Sequence, residues 1–393
     1  MKIFTCTSCG QLVFFENVLC THCGHQLAYL PDKRIVSAVE LPADVSNGST
    51  VVALSAEGKK GDTYHLCANY LGQQVCNWAV PDSDPNPFCR SCRLDDTIPN
   101  LSSPKSHEAW HRLEQAKRRL LYTLLALGLP VESRVDRPVN GLAFSFLEDD
   151  ASEKVFTGHS DGLITINVAE ADDPFREKRR LDLGETYRTV LGHFRHEIGH
   201  YYWDRLIKDG AQHGACREVF GDESVDYDES LKRHYAQGAP ADWQTNFVSS
   251  YASMHPWEDF AESWAHYLHI VETLDTARSY GMALRPSPVG GGKGPRAVAT
   301  RLLDFEDFED LIAAWIPLTT ALNSMNRAMG LADLYPFVLS ERAVAKLRFV
   351  HDVVENASKE PSSARAPRPA LRANVEPKGT RDSAPSPELV SSR

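Results

Sequence analysis

Residues 193–203 read "HFRHEIGHYYW". His196 and His200 stand four apart, with Glu197 beside the first. On a helix, positions i and i+4 lie one above the other on the same face. Both imidazoles can therefore close on one metal ion while the Glu197 carboxylate reaches a water beside it. Val190, Leu191, Phe194, Ile198, Tyr201 and Tyr202 make the setting apolar, as a buried helix requires, and the pattern predicts a helix from roughly 185 to 207. A random HExxH arises in about a few per cent of chains with this histidine content. The rest of the sequence has to decide between a metal site and a helix that carries two histidines by chance.

A catalytic zinc needs a third protein ligand and an open position for water. The continuation HExxHxxGxxH is excluded, because Trp203 stands where it requires glycine. "FGDESVDYDES" offers Asp222 and Asp226, although acidic residues there also suit a solvated helix. "HPWEDFAESWAHYLH" offers Glu258 and Glu262. Glu262 sits among Phe260, Ala261, Trp264 and Ala265, where an unpaired carboxylate is costly and a metal partner removes the cost. Glu258 and Asp259 lie near the helix start, where acidic groups are favoured by the helix dipole. The expected metal ligands are thus His196, His200 and Glu262, with Glu258 the main rival. Tyr251 and His255, eleven and seven residues before Glu262, are candidate donors to a developing oxyanion.

Eight of the nine cysteines fall within the first 92 residues, in two groups of four. "CTSCG" and "CTHCG" place Cys6, Cys9, Cys20 and Cys23 as two CxxC turns, each followed by a glycine, around a plausible "LVFF" hairpin strand. Two such turns build the tetrahedral S₄ site of structural zinc. The second group is Cys67, Cys76, Cys89 and Cys92, where only "CRSC" is a compact knuckle and His65 is a stand-in ligand. The expected metal content is one catalytic and one or two structural zinc ions. Cys216 stands apart and reads as an ordinary core thiol.

The net charge of −11 offers no electrostatic argument for nucleic acid. Residues 1–96 carry seven Lys or Arg against ten Asp or Glu, so the cysteine-rich region reads as structure or protein contact rather than phosphate binding. "MKIFTCTSCG" has no apolar leader, and "LLYTLLALGLP" is too short to span a bilayer. A cytoplasmic protein with no membrane contact is expected. A helix from Ser106 to the Gly128–Pro130 stop precedes strand-like runs "GLAFSFLE" and "GLITINVAEAD", with "TGHSDG" read as a turn-rich connection. Several helices follow the HEIGH segment, interrupted by the helix-breaking "RPSPVGGGKGP" at 285–295. From 357 to 393 the chain is rich in Pro, Ser, Ala and Arg and reads as a disordered tail. The fold class is α+β: residues 1–100 a zinc-ribbon domain, 101–356 a mostly helical domain with a small sheet, then the tail.

HExxH followed by a helix with "FAESWAHY" looks like the gluzincin group of zinc peptidases. The whole arrangement resembles a bacterial family of zinc-binding metallopeptidases with an N-terminal zinc ribbon. The matching stretches include "CANYLGQQVCNW", "CRSCRLDDTIPNL", "FRHEIGHYYWDRLI", "VFGDESVDYDESL", "HPWEDFAESWAHYLHI" and "PLTTALNSMNRAMGLADLYPF". The resemblance implies a ribbon fused to a gluzincin-like α+β catalytic domain acting on a peptide or protein substrate. Thermolysin-like relatives carry Asp four residues beyond the ligand Glu. With Glu262 as ligand, that position here is His266. Glu197 is then the general base, returning the water's proton to the departing amine, and substrate would lie extended along "GLITINVAEAD" as an edge strand. The alternative is a zinc-stabilised adaptor that captures peptides or a protein partner, through its peptidase-like domain or its ribbon, without cutting them.

Overall fold

The structure, a computed structural model, describes residues 2–44, 46, 49–54, 60–150, 154–182, 185–284 and 307–359. The segment 285–295 and the tail from 360 onward lie outside the described residues, and 357–359 complete the last helix.

The chain opens with a two-stranded antiparallel ribbon, β1 (Phe4–Thr5) and β2 (Leu12–Val13). A five-stranded antiparallel meander follows: β3 (Gln26–Leu30), β4 (Ile35–Glu40), β5 (Thr50–Leu54), β6 (Lys60–Leu66) and β7 (Ala79–Pro81), with the short helix α1 (Ala68–Leu71) before β7. The only strand expected in the cysteine-rich region is at "LVFF", and this meander is not expected. β3 and β4 are buried on both faces over most of their length, so their sequences lack the alternation that marks a half-exposed strand.

A second sheet holds β8 (Asp95–Thr97), β9 (Ala143–Leu147), β10 (Gly158–Ser160) and β11 (Leu163–Asn167), in the spatial order β10-β11-β9-β8. β9 is parallel to both β8 and β11, and β10 is antiparallel to β11. "TGHSDG" is therefore a strand plus a turn. Asp161 and Gly162 (φ 47° and 83°) form a two-residue reversal with both residues in the left-handed region. β10, not β11, is the edge strand, so the "GLITINVAEAD" run lies inside the sheet and ends at Asn167, whose side chain caps the following 3₁₀ turn.

Between the sheets runs α2 (Pro104–Ala126), started by Pro104 and stopped at Gly128 (φ 70°). The rest of the chain supplies α3 (Asp173–Asp182), α4 (Val190–Tyr202), α5 (His213–Phe220), α6 (Tyr227–Gln237), α7 (Trp243–Asn246), α8 (Pro256–Ser279), α9 (Phe308–Ala328) and α10 (Glu341–Lys359). The HEIGH helix α4 is shorter than expected. It starts at the Thr189 cap, whose hydroxyl accepts the Gly192 N–H at 3.0 Å, and it loosens into a π-turn over Trp203–Ile207.

One apolar core runs from Phe4 to Val354 and joins ribbon to helical region. Phe15 and Tyr29 on the ribbon side meet Tyr122 of α2 with ring centres 5.4 and 5.9 Å apart. Phe144 and Phe146, on one face of β9, meet Phe194 of α4. Lys117 of α2 is fully buried between Asp95 and Glu114, and Arg118 donates to the Val75 carbonyl.

Candidate metal centre

α4 and α8 cross at Gly199. A Cβ there would stand 2.9 Å from Ala261 Cα and 3.1 Å from both the Ala261 carbonyl oxygen and Trp264 Cβ. The absence of a side chain lets the helices approach until the carboxylates of α8 reach the imidazoles of α4. His255 caps α8, its Nδ1 accepting the Trp257 N–H at 3.1 Å, and Pro256 occupies the first turn.

His196 Nε2, His200 Nε2 and one oxygen of Glu258 converge. The nitrogens are 3.2 Å apart, and Glu258 Oε2 lies 2.9 Å from His196 Nε2 and 3.4 Å from His200 Nε2. Ligands about 2.0–2.1 Å from a tetrahedral zinc stand about 3.3 Å from one another, so this triangle has the dimensions of three corners of a zinc site. The donor set, two imidazoles and a carboxylate, suits that ion as well.

Glu262, the expected third ligand, takes a different place. Its Oε1 pairs with the opposite nitrogen of His196, Nδ1, at 2.8 Å, and its Oε2 accepts from Ser249 Oγ at 2.5 Å. One helical turn separates the two glutamates on the same face of α8, and the earlier one lies over the Nε2 atoms. Glu262 instead fixes which way the His196 ring faces. With Glu258 as the third donor, the position four residues on is Glu262, so His196 does have an orienting carboxylate and His266 is not the relevant residue. His266 bonds Tyr335.

Glu258 is held on its other side by Tyr227, whose hydroxyl donates to Oε1 at 2.8 Å. The Trp257 ring covers His200, with centres 3.6 Å apart. Burial opposes the charge on Glu258, but the two histidines hold its carboxyl well below the ordinary value. Burial pushes Glu197 up, and the nearby Glu258 and Glu262 charges add to that while the histidines oppose it. A carboxylate raised in this way is a stronger base than a free one.

Of the two proposed oxyanion donors, Tyr251 lies beside the site, its ring 6.0 Å from that of His196. Burial raises its phenol well above the ordinary value, so it keeps its proton. His255 does not fit the role. Both its nitrogens are committed, one to the Trp257 N–H and the other to the Val225 carbonyl at 3.0 Å. Asp222 and Asp226 are also elsewhere, accepting from Ser224 and from the Glu229 N–H at the start of α6. Sequence reasoning missed Tyr227 and Ser249. Neither belongs to a metal motif, and nothing local tells that their hydroxyls reach α8.

The cysteines gather into two further groups. Sγ atoms of Cys6, Cys9, Cys20 and Cys23 all lie within 4.8 Å of one another, as do those of Cys67, Cys76, Cys89 and Cys92. Cys6–Cys23 and Cys76–Cys89 are each 3.6 Å apart, and Cys9–Cys20 3.7 Å. Zn–S bonds of about 2.3 Å in a tetrahedron give S–S edges of about 3.8 Å. Gly10 and Gly24 turn the knuckles with φ 75° and 74°. The second quartet is entirely buried, and its thiols receive backbone N–H groups of Trp78, Cys89 and Cys92. His65 bonds the Asn86 carbonyl and is not needed as a stand-in. Burial pushes the lone Cys216 thiol up to about 12, which makes it unreactive.

No helix among the described residues is long and apolar enough to cross a membrane. No solved structure matches the chain. Uncharacterized proteins of Mycobacterium tuberculosis and Mycobacterium bovis are 42% identical to it over 361 residues, which is 91% of this chain and 96% of theirs. Residues 3–103 match a zinc-ribbon domain. Residues 106–353 match the family described as "Putative zinc-binding metallo-peptidase", and by that match over most of its length the chain belongs to this family.

Proposed function

We propose that the protein is a zinc-dependent peptidase that hydrolyses peptide bonds at the His196–His200–Glu258 site. The observation that carries this reading is the triangle of two Nε2 atoms and one carboxylate oxygen, with the buried Glu197 on the same helix turn. Bound there, zinc supplies a Lewis acid that polarises the scissile carbonyl and lowers the pKa of water to about 7.

The chain's own groups supply the rest. Glu262 and Ser249 hold the His196 ring, and Tyr227 holds Glu258. Glu197 takes the proton of the attacking water and returns it to the departing amine. Tyr251 is the donor for the oxyanion, because His255 has no free N–H to offer. The substrate peptide lies extended along β10, the sheet edge against which α4 packs. The two cysteine quartets hold structural zinc and leave no ligand position open. The setting we propose is cytoplasmic, with any protein partner meeting the ribbon.

The test is hydrolysis of a broad peptide library, read by mass spectrometry before and after a chelator strips the site and zinc restores it. New termini that vanish with the metal and return with it support the reading. A fully zinc-loaded protein that binds peptides and cuts none would instead make it a capture module.

A further inference from the structure

Glu258 presents two oxygens to its surroundings, and they are treated differently. Oε2 faces the Nε2 atoms of His196 and His200, while Oε1 accepts from the Tyr227 hydroxyl at 2.8 Å. Tyr227 is the first residue of α6, and its backbone is pinned there. The preceding Asp226 caps the helix, accepting the Glu229 N–H at 2.8 Å. The phenol ring is wedged edge-on against His255 and Trp257, with centres 5.3 and 6.0 Å away. His255 and Trp257 flank the start of α8 immediately before Glu258. Ring and hydroxyl are thus fixed relative to the same turn that carries the carboxylate.

We infer that Tyr227 is a positioning residue that restricts Glu258 to one-oxygen binding of the metal and so keeps the remaining coordination positions free for water and substrate. A carboxylate with both oxygens unengaged can swing to chelate the ion through both. Holding Oε1 in a hydrogen bond removes that option, as groups behind metal ligands commonly do. No similar tie is needed on the histidines, whose Nε2 atoms offer only one lone pair each. The inference rests on the reading of His196, His200 and Glu258 as zinc ligands.

The experiment uses the full chain. Affinity for the third ion is measured by competition with a chromophoric chelator for the parent, Tyr227→Phe and Asp226→Ala. Tyr235→Phe, an exposed position on the same helix, serves as the comparison. Cobalt(II) is then loaded in place of zinc and its visible absorption recorded, since this weakens as coordination number rises. Tyr227→Phe should bind the third ion about 10- to 100-fold more weakly and give a weaker cobalt band. Asp226→Ala should move both in the same direction by less, and Tyr235→Phe should match the parent. Parent-like affinity and spectrum in Tyr227→Phe overturn the inference while leaving the site intact. A parent that holds only its cysteine-bound ions overturns the site itself, and the inference with it.

Discussion

At the scale of single residues, the centre turns on two glutamates one helical turn apart. Glu258 faces the metal position and Glu262 faces the back of His196. Their exchange for glutamine should therefore separate. Glu258→Gln removes a ligand and should abolish tight binding of the third ion. Glu262→Gln keeps all three ligands and should weaken that binding by about 10- to 100-fold. Elemental analysis after dialysis against graded chelator distinguishes the two, and equal behaviour would show that the roles are not divided this way. The sequence shows that α8 brings a carboxylate to HEIGH, and both candidates stand in it. What it does not show is which one arrives. The apolar neighbours of Glu262 suggested burial, yet its side chain is 19% exposed and that of Glu258 only 2%. Glu258 is covered on its other side by Tyr227, thirty-one residues away in the chain, and no local pattern announces that.

Among the elements, the crossing of α4 and α8 sets the geometry, and Gly199 permits it. Gly199→Ala puts a methyl group against backbone that has little room to yield. Overpacking of this kind costs about 1–3 kcal/mol. A lowered unfolding temperature, together with weaker retention of the third ion, is the expected result. A variant as stable and as metal-tight as the parent would mean that the helices can part without consequence. The long helices α2, α4 and α8 were legible, whereas α3 was not. α2 is expected from near Ser106, two residues inside its start at Pro104, and it stops at Gly128 as expected. Strands were less so. β10 has three residues and was hidden in a turn-rich stretch, and its pairing depends on β11 across a two-residue reversal. The π-turn after Tyr202 likewise continues an apolar helical pattern, so nothing in the residues marks where α-helical bonding gives way.

Over the whole molecule, the ribbon and the helical region are not separable weights on a string. Tyr122 of α2 packs into the ribbon aromatics, and Lys117 lies fully buried between Asp95 and Glu114. Lys117→Met strips Asp95 of its cation and leaves Glu114 with Arg118 alone, 3.6 Å away. Breaking a buried ion pair from one side costs about 3–5 kcal/mol, so denaturant unfolding should shift to markedly lower midpoints. A neutral outcome would mean the carboxylates are relieved by protonation or solvent. Deleting residues 1–100 should likewise give an unstable or insoluble remainder, because it strips the ribbon face of α2. The cysteine spacing pointed to both quartets, and each gathers as a cluster. Three of the four pairs are local CxxC turns, while Cys67 and Cys76 are brought together by the fold. The sharing of one core between the two regions depends on contacts between residues distant in the chain, such as Phe15 and Tyr29 with Tyr122, which spacing does not carry.

In the proposed mechanism Glu197 acts on water and not on the metal, at a site that would hold zinc through His196, His200 and Glu258. Glu197→Gln keeps the side chain's size and removes its basicity, so zinc content and peptide hydrolysis measured on the same preparation test it most directly. The variant should carry as many zinc ions as the parent, about three per chain if both cysteine quartets and the His/His/Glu site are filled. Its hydrolysis should fall by about 10²- to 10⁴-fold. Turnover at the parent's rate, or loss of the third zinc with the glutamate, would rule out Glu197 as the base acting on water.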